Sequence, residues 1–289
     1  MKIVSDRGMD MAPEQMAGLE IPLAPLLLTL DGQTYRSGVD IQPDEFYERL
    51  AASANFPTTS QPSSGDFAAI YREVAKTDPE ILSIHISSGL SGTCNSARAA
   101  AEMVPEAHVT IFDSKTLSVA EGWQVEAAAR AAQAGWSLER TLDLLERVRD
   151  ATQTFFTVAT LRYLIHGGRI SHIKGLLASM LDIKPVIAVE KERGIYVQVG
   201  QARTLSKAIQ SMAQLVAEQH APGSALRVQV PHANNPEGAA TMHALLDQRF
   251  ACTWLPSCSI APVLGAHTGP GLVGVAFAPQ EVFTGEPWE

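Results

Sequence analysis

Four hydroxyls and two glycines fill the seven residues Ser87-Ser-Gly-Leu-Ser-Gly-Thr93. The stretch follows the apolar run Ile81–Ile86 and leads into the alanine-rich Ala97–Met103. That order predicts a strand, a tight loop and the start of a helix. A helix entrance presents unpaired N–H groups and the positive end of a dipole, so it favours an anion. Glycine lets the backbone come close to a ligand, and Ser and Thr add donors without adding charge. Ordinary N-capping by Ser91 or Thr93 needs one hydroxyl, and four are present. The chemistry this pattern suits is the capture of an anion or carboxylate.

Three further clusters bear on the same chemistry. Thr58-Thr-Ser-Gln-Pro-Ser-Ser64 is a second hydroxyl-rich entrance to a helix. Ser63 serves as its cap, with Asp66 completing a capping box, so Thr59 and Ser60 are surplus to capping. Around His166-Gly-Gly-Arg-Ile170, no acid occurs between Asp150 and Asp182, while Arg162, His166, Arg169, His172 and Lys174 do. This positive island is either a solvated face or a site for an acidic or phosphate-bearing partner. Gly265-Ala-His-Thr-Gly-Pro-Gly271 places His267 among glycines, in what reads as a turn between two strands.

Other chemistries lack their residues. There is no G-x-x-x-x-G-K-[ST], so no P-loop nucleotide site is indicated. H-E-x-x-H is absent, and no paired carboxylates stand near the hydroxyl loops. Gly89-Leu-Ser-Gly-Thr93 approaches a nucleophile elbow, with Thr93 in place of the last glycine. The rival reading is therefore a serine hydrolase or esterase, with Ser91 as nucleophile and His267 as base. A third reading is a module that docks a partner through the basic island. Cys94, Cys252 and Cys258 form no C-x-x-C pair, which argues against disulfides and a zinc site. Cys94, at a helix start, is the one thiol placed to have a lowered pKa.

The elements that must hold these residues alternate strand and helix through the first half, which predicts a wound parallel sheet. The 289 residues, 46% hydrophobic and 18% charged, suit two α/β domains. Near residue 154 the pattern turns to hairpins mixed with helices. The expected organisation is an N-terminal α/β domain over residues 1–157 and a mostly antiparallel C-terminal α+β domain over 158–289. Ser259–Ala266 and Leu272–Ala278 read as strands around the His267 loop. A net charge of −9 disfavours nucleic acid as partner. The most apolar run, Ile21–Leu30, is too short to span a bilayer, and residues 1–8 read as a strand rather than a signal. The expectation is a cytoplasmic protein without membrane insertion.

Taken together and in order, the clusters resemble the DegV family of bacterial fatty-acid-binding proteins. The resemblance rests on Thr59–Ser63, Ser87–Thr93, Phe112–Gly122, Leu161–Ser171, Leu181–Val186, Ala202–Thr204 and Ala266–Gly271. It implies two α/β domains with a long-chain fatty acid between them, and a separate ATP-dependent fatty acid kinase that phosphorylates the bound carboxylate. The binding protein then carries the acyl group and has no catalysis, metal or cofactor of its own. Carried over by position, Thr59 and Ser91 hold the carboxylate, with Ser60 and Gly92 beside them. Arg169 and His267 join the head-group network, and Arg203 bears on the interaction with the kinase. One departure stands out. Asp6-Arg-Gly-Met-Asp10 keeps both acids of the family's opening motif and lacks its hydroxyls, so Arg7 either adds a charge near the site or points to solvent.

Overall fold

The computed structural model describes residues 1–170 and 183–288. Strand β1 (Lys2–Asp6) is followed by the short helix α1 (Pro13–Met16), then β2 (Leu23–Ala24), β3 (Leu27–Leu30) and β4 (Gln33–Arg36). Helix α2 (Pro43–Ala52), β5 (Thr58–Ser60), α3 (Ser64–Ala75), β6 (Glu80–His85), α4 (Thr93–Glu102), β7 (His108–Asp113), α5 (Ser118–Gln133) and α6 (Leu138–Ala151) complete the first half. The second half runs β8 (Gln153–Thr157), α7 (Arg162–His166), β9 (Lys184–Glu190), β10 (Ile195–Ala202), α8 (Leu205–Gln219), β11 (Ala225–Gln229), β12 (Pro231–His232) and α9 (Pro236–Asp247). It ends with β13 (Ala251–Trp254), β14 (Cys258–Ser259), α10 (Pro262–Thr268) and β15 (Val273–Pro279).

The first sheet is parallel, in the order β2-β1-β6-β7. Both faces are covered, so its strands are apolar on both sides. Val4 and Ile81 pack on one face against Phe67, Tyr71 and Ala97 of α3 and α4. Ile3, Leu82 and Ile84 pack on the other against Val119, Trp123 and Leu144 of α5 and α6. The loop after β6 thus opens at the carboxyl end of a parallel strand, where ligands of open α/β sheets bind.

The second sheet is mixed and mostly antiparallel, in the order β10-β9-β8-β15-β11-β13, with β12 and β14 alongside. The pairs β11–β13 and β12–β14 are parallel. One face carries Phe155, Val186 and Phe277 against Ile209, Met212 and Met242 of α8 and α9. The opposite face presents Phe156, Ile187 and Tyr196 to Leu26, Leu28 of β3, Phe46 of α2, and Ile86. That apolar layer between the two halves holds the cavity described below. We propose that the division between the halves falls at Ala151–Thr152, because β8 is hydrogen-bonded into the second sheet.

The Asp31-Gly32 turn forms as its sequence dictates, with Leu30 opposite Gln33 and both turn residues at positive φ, 50° and 78°. The Ser63/Asp66 capping box is present. One strand is added and one expectation needs correction. Thr58–Ser60 is a strand, paired antiparallel with β3. Residues 259–266 are not one strand: a two-residue β14 gives way to helix α10, which Pro262 opens and Gly269, at φ 68°, closes. A short unbroken apolar run has no period to separate strand from helix. His267 therefore lies in the last turn of a helix, not in a loop between strands.

Candidate functional site

Strand β5, the loop before α4, and helix α10 converge on one apolar cavity. Leu26, Ile86, Leu90, Leu117, Phe156 and Tyr196 form much of its wall. Thr59, Ser60, Ser91, Arg169 and His267 line the same cavity. Gly92 caps α4 beside it. A Cβ there would stand 2.7 Å from the side-chain nitrogen of Gln61, another lining residue. Glycine is thus what lets the helix entrance sit against Gln61.

Each of the two expected carboxylate-binding hydroxyls has a partner behind it. Thr59 Oγ1 lies 2.7 Å from His267 Nε2. Ser91 Oγ lies 2.8 Å from Thr93 Oγ1 and accepts the Thr93 N–H at 3.3 Å. A hydroxyl has one proton to give and two lone pairs to receive. If His267 carries its proton on Nε2, it donates to Thr59 and leaves the Thr59 proton for an acceptor in the cavity. If Thr93 donates to Ser91, the Ser91 proton is released in the same way. Two such donors match the two oxygens of one carboxylate.

His267 is neutral near pH 7. Burial, then the positive charges of Arg169 and His166, push its pKa down to about 4. Its Nδ1 is buried without a partner among the described residues. It lies against Gly167, where a Cβ would come within 2.1 Å of it. Arg169 Nη1 donates to the carbonyl of Gly167 at 2.7 Å. One short segment thus holds both the guanidinium and the imidazole at the cavity.

The structure separates other candidates. Among the described residues, Ser91 and His267 do not hydrogen-bond to each other and no acid orients His267 Nδ1, so they do not assemble the nucleophile–base pair of an esterase. Cys94 is buried and its thiol is pushed up to about 12, the reverse of activation. Arg203 is exposed and lines a different, polar groove with Lys207 and Arg249. In the basic island, the His166 ring stacks on Phe56 at 4.6 Å, with Arg162 over the same ring. His172, Lys174 and the parts of the motif stretches at 171 and 181–182 lie outside the described residues. Among the described residues no group of His, Cys, Asp and Glu is arranged to hold a metal, and no helix is long and apolar enough to cross a membrane.

Sequence reasoning missed Thr93, Gln61 and Gly167 as supports. Thr93 and Gln61 stand inside the quoted hydroxyl clusters. Gly167 reads only as a helix stop, because its contact with His267 joins residues 100 apart in sequence.

The model of the DegV family, described as uncharacterised protein, DegV family, matches residues 1–280. The chain belongs to the DegV family. A DegV domain-containing protein of Deinococcus radiodurans is 35% identical over 99% of this chain and 97% of its own. Protein DegV of Bacillus subtilis is 32% identical over 95% and 98%. Among solved structures, a DegV family protein from Thermus thermophilus, described by its fatty acid binding, superposes with a TM-score of 0.87 at 32% identity, covering 96% of this chain and 99% of its own. DegV from Bacillus subtilis, described as a fatty acid binding protein, gives 0.86 at 30%, covering 96% and 98%. The DegV fold accounts for the parallel sheet in the N-terminal part and the mixed sheet in the C-terminal part.

Proposed function

We propose that this protein binds one long-chain fatty acid in the cavity between its two halves and presents the carboxylate to a separate ATP-dependent fatty acid kinase. The observation that carries the reading is the pair of backed hydroxyls, Thr59 and Ser91, at an otherwise apolar cavity. DegV structures described as fatty-acid-binding, at 30% and 32% identity, support the ligand class. So does a stearic-acid-binding protein from Eubacterium ventriosum, at 29% identity and a TM-score of 0.81, covering 96% of this chain and 98% of its own.

The physics suits a carrier. A chain of roughly 15 methylenes offers about 12 kcal/mol of gross transfer energy, at about 0.8 kcal/mol each. Ordering the flexible chain offsets part of it. Neutral hydroxyls give each carboxylate oxygen one hydrogen bond and do not neutralise its charge, as a bidentate guanidinium clamp would. An oxygen left accessible can attack the γ-phosphoryl group of ATP, giving an acyl phosphate and ADP. Arg169 is placed to stabilise the charge of the group in transfer. In this reading Ser60 and Gly92 flank the carboxylate, His267 aligns Thr59, and Arg203 meets the kinase on the outer surface. The chain carries the acyl group and performs no catalysis itself.

The test is uptake of palmitate by the delipidated protein, followed by native mass spectrometry. One bound palmitate per chain is expected. Thr59→Val removes one charge-assisted hydrogen bond of about 1.5–3 kcal/mol, so affinity should fall about 10- to 100-fold. No uptake by the wild-type protein rejects the reading.

A further inference from the structure

Another cleft, about 250 Å³, is lined by Asp10 together with Cys258, Ser259 and Ala261. Met9, Met11 and Met16 give it a soft apolar wall, and Arg7, Asp10 and Gln42 are among its polar residues. Arg7 follows β1 directly, and its N–H is fixed to the carbonyl of Ala24 at 3.0 Å. Its side chain crosses Gly38 so closely that a Cβ there would meet Nη1 at 3.0 Å. Arg7 is thus anchored through its backbone, and its side chain lies against Gly38.

What the guanidinium lacks is a partner. Arg7 Nε is buried and unpaired among the described residues, and burial lowers the pKa of the group. The cleft does contain an acid, yet Asp10 is engaged elsewhere. One oxygen of Asp10 accepts the Ser118 hydroxyl and the other accepts the N–H of Ala261 at 2.8 Å. A half-buried cation in such a place is costly unless an anion meets it. Its planar fork suits a carboxylate or phosphate.

We propose that this cleft is a binding site for a small amphipathic anion, a carboxylate or phosphate head on a short apolar body, with Arg7 as its cationic anchor. The head pairs with the Arg7 fork, and the body lies along the methionines, whose flexible side chains fit varied shapes. The site is independent of the fatty acid reading, since neither Thr59 nor Ser91 lines it. Its neighbour Asp10 contacts both β14–α10 and the N-terminus of α5, so an occupant sits beside the strut that joins the two halves.

Titration of the ¹⁵N-labelled full chain with inorganic phosphate, and separately with hexanoate, tests the site. The amides of Met9, Gly38 and Ala261 report on the cleft, and those of Thr59 and Ser91 report on the apolar cavity. Saturable shifts at the first set are expected with at least one probe, lost in Arg7→Gln and weaker in Arg7→Lys. Saturation by phosphate or by hexanoate identifies the head group the fork prefers. Shifts that never saturate, that persist unchanged in Arg7→Gln, or that hexanoate confines to Thr59 and Ser91 overturn the proposal.

Discussion

At neutral pH the imidazole of His267 holds a single proton, because burial and the charge of Arg169 keep its pKa near 4. Where that proton sits decides whether Thr59 can donate to a ligand. The ring is placed by Gly167, which leaves no room for a methyl group against Nδ1. Gly167→Ala should therefore push the ring away from Thr59 and weaken palmitate binding about tenfold or more, the worth of one oriented hydrogen bond. Palmitate titration checks this, with the thermal midpoint of the unliganded protein as the control for folding. Unchanged affinity would mean that Thr59 acts without the imidazole. Thr59, Ser91 and His267 were legible as candidates because hydroxyls and a histidine among glycines are unusual in type and spacing. Their supports were not, since Thr93 reads as a cap and Gly167 as a stop.

Among the elements, α10 was the hardest to read. Its apolar run Ile260–Ala266 suits a buried strand as well as a helix, and only Pro262 at the start hints at the outcome. The structure ties this helix to the first half through Asp10, which joins the N–H of Ala261 to the Ser118 hydroxyl. Ser118 itself, at φ 58°, is held in the left-handed region as α5 begins. Burial raises the Asp10 pKa from 3.8 to about 7, so the folded state keeps a proton that the unfolded chain gives up. Its contribution is fully present below pH 3.8 and is lost as pH rises through about 7. Asn keeps the shape and cannot ionise. Asp10→Asn should remove up to about 1.4 kcal/mol per pH unit of that decline. Urea unfolding of both proteins across this interval measures the difference in slope. Parallel slopes would show that Asp10 ionises in the folded state much as it does unfolded.

At the scale of the whole molecule, the alternation of strands and helices was legible because each is short, apolar and bounded by glycine, proline or a capping hydroxyl. The way the two sheets face each other was not, because it is set by pairs far apart in the chain. Arg227 of β11 and Glu126 of α5 are one such pair, 2.6 Å apart and both buried. Arg130 shares Glu126 at 2.9 Å, and the Arg227 guanidinium lies over the rings of Trp123, Phe283 and Trp288. Burying such a pair gives little net stability, while breaking it strands a charge. Glu126→Gln should cost about 3 kcal/mol and lower the thermal midpoint by about 6–12 °C. The double change Glu126→Leu with Arg227→Met, which leaves no buried orphan charge because the half-exposed Arg130 reaches solvent, should recover most of that loss. Differential scanning calorimetry of the three proteins decides between two pictures. A lowered midpoint rescued by the double variant makes the ion pair a means of fixing how the halves meet. An unmoved midpoint in the single variant would leave the apolar layer around Leu28, Phe46 and Phe156 to hold the halves together by itself.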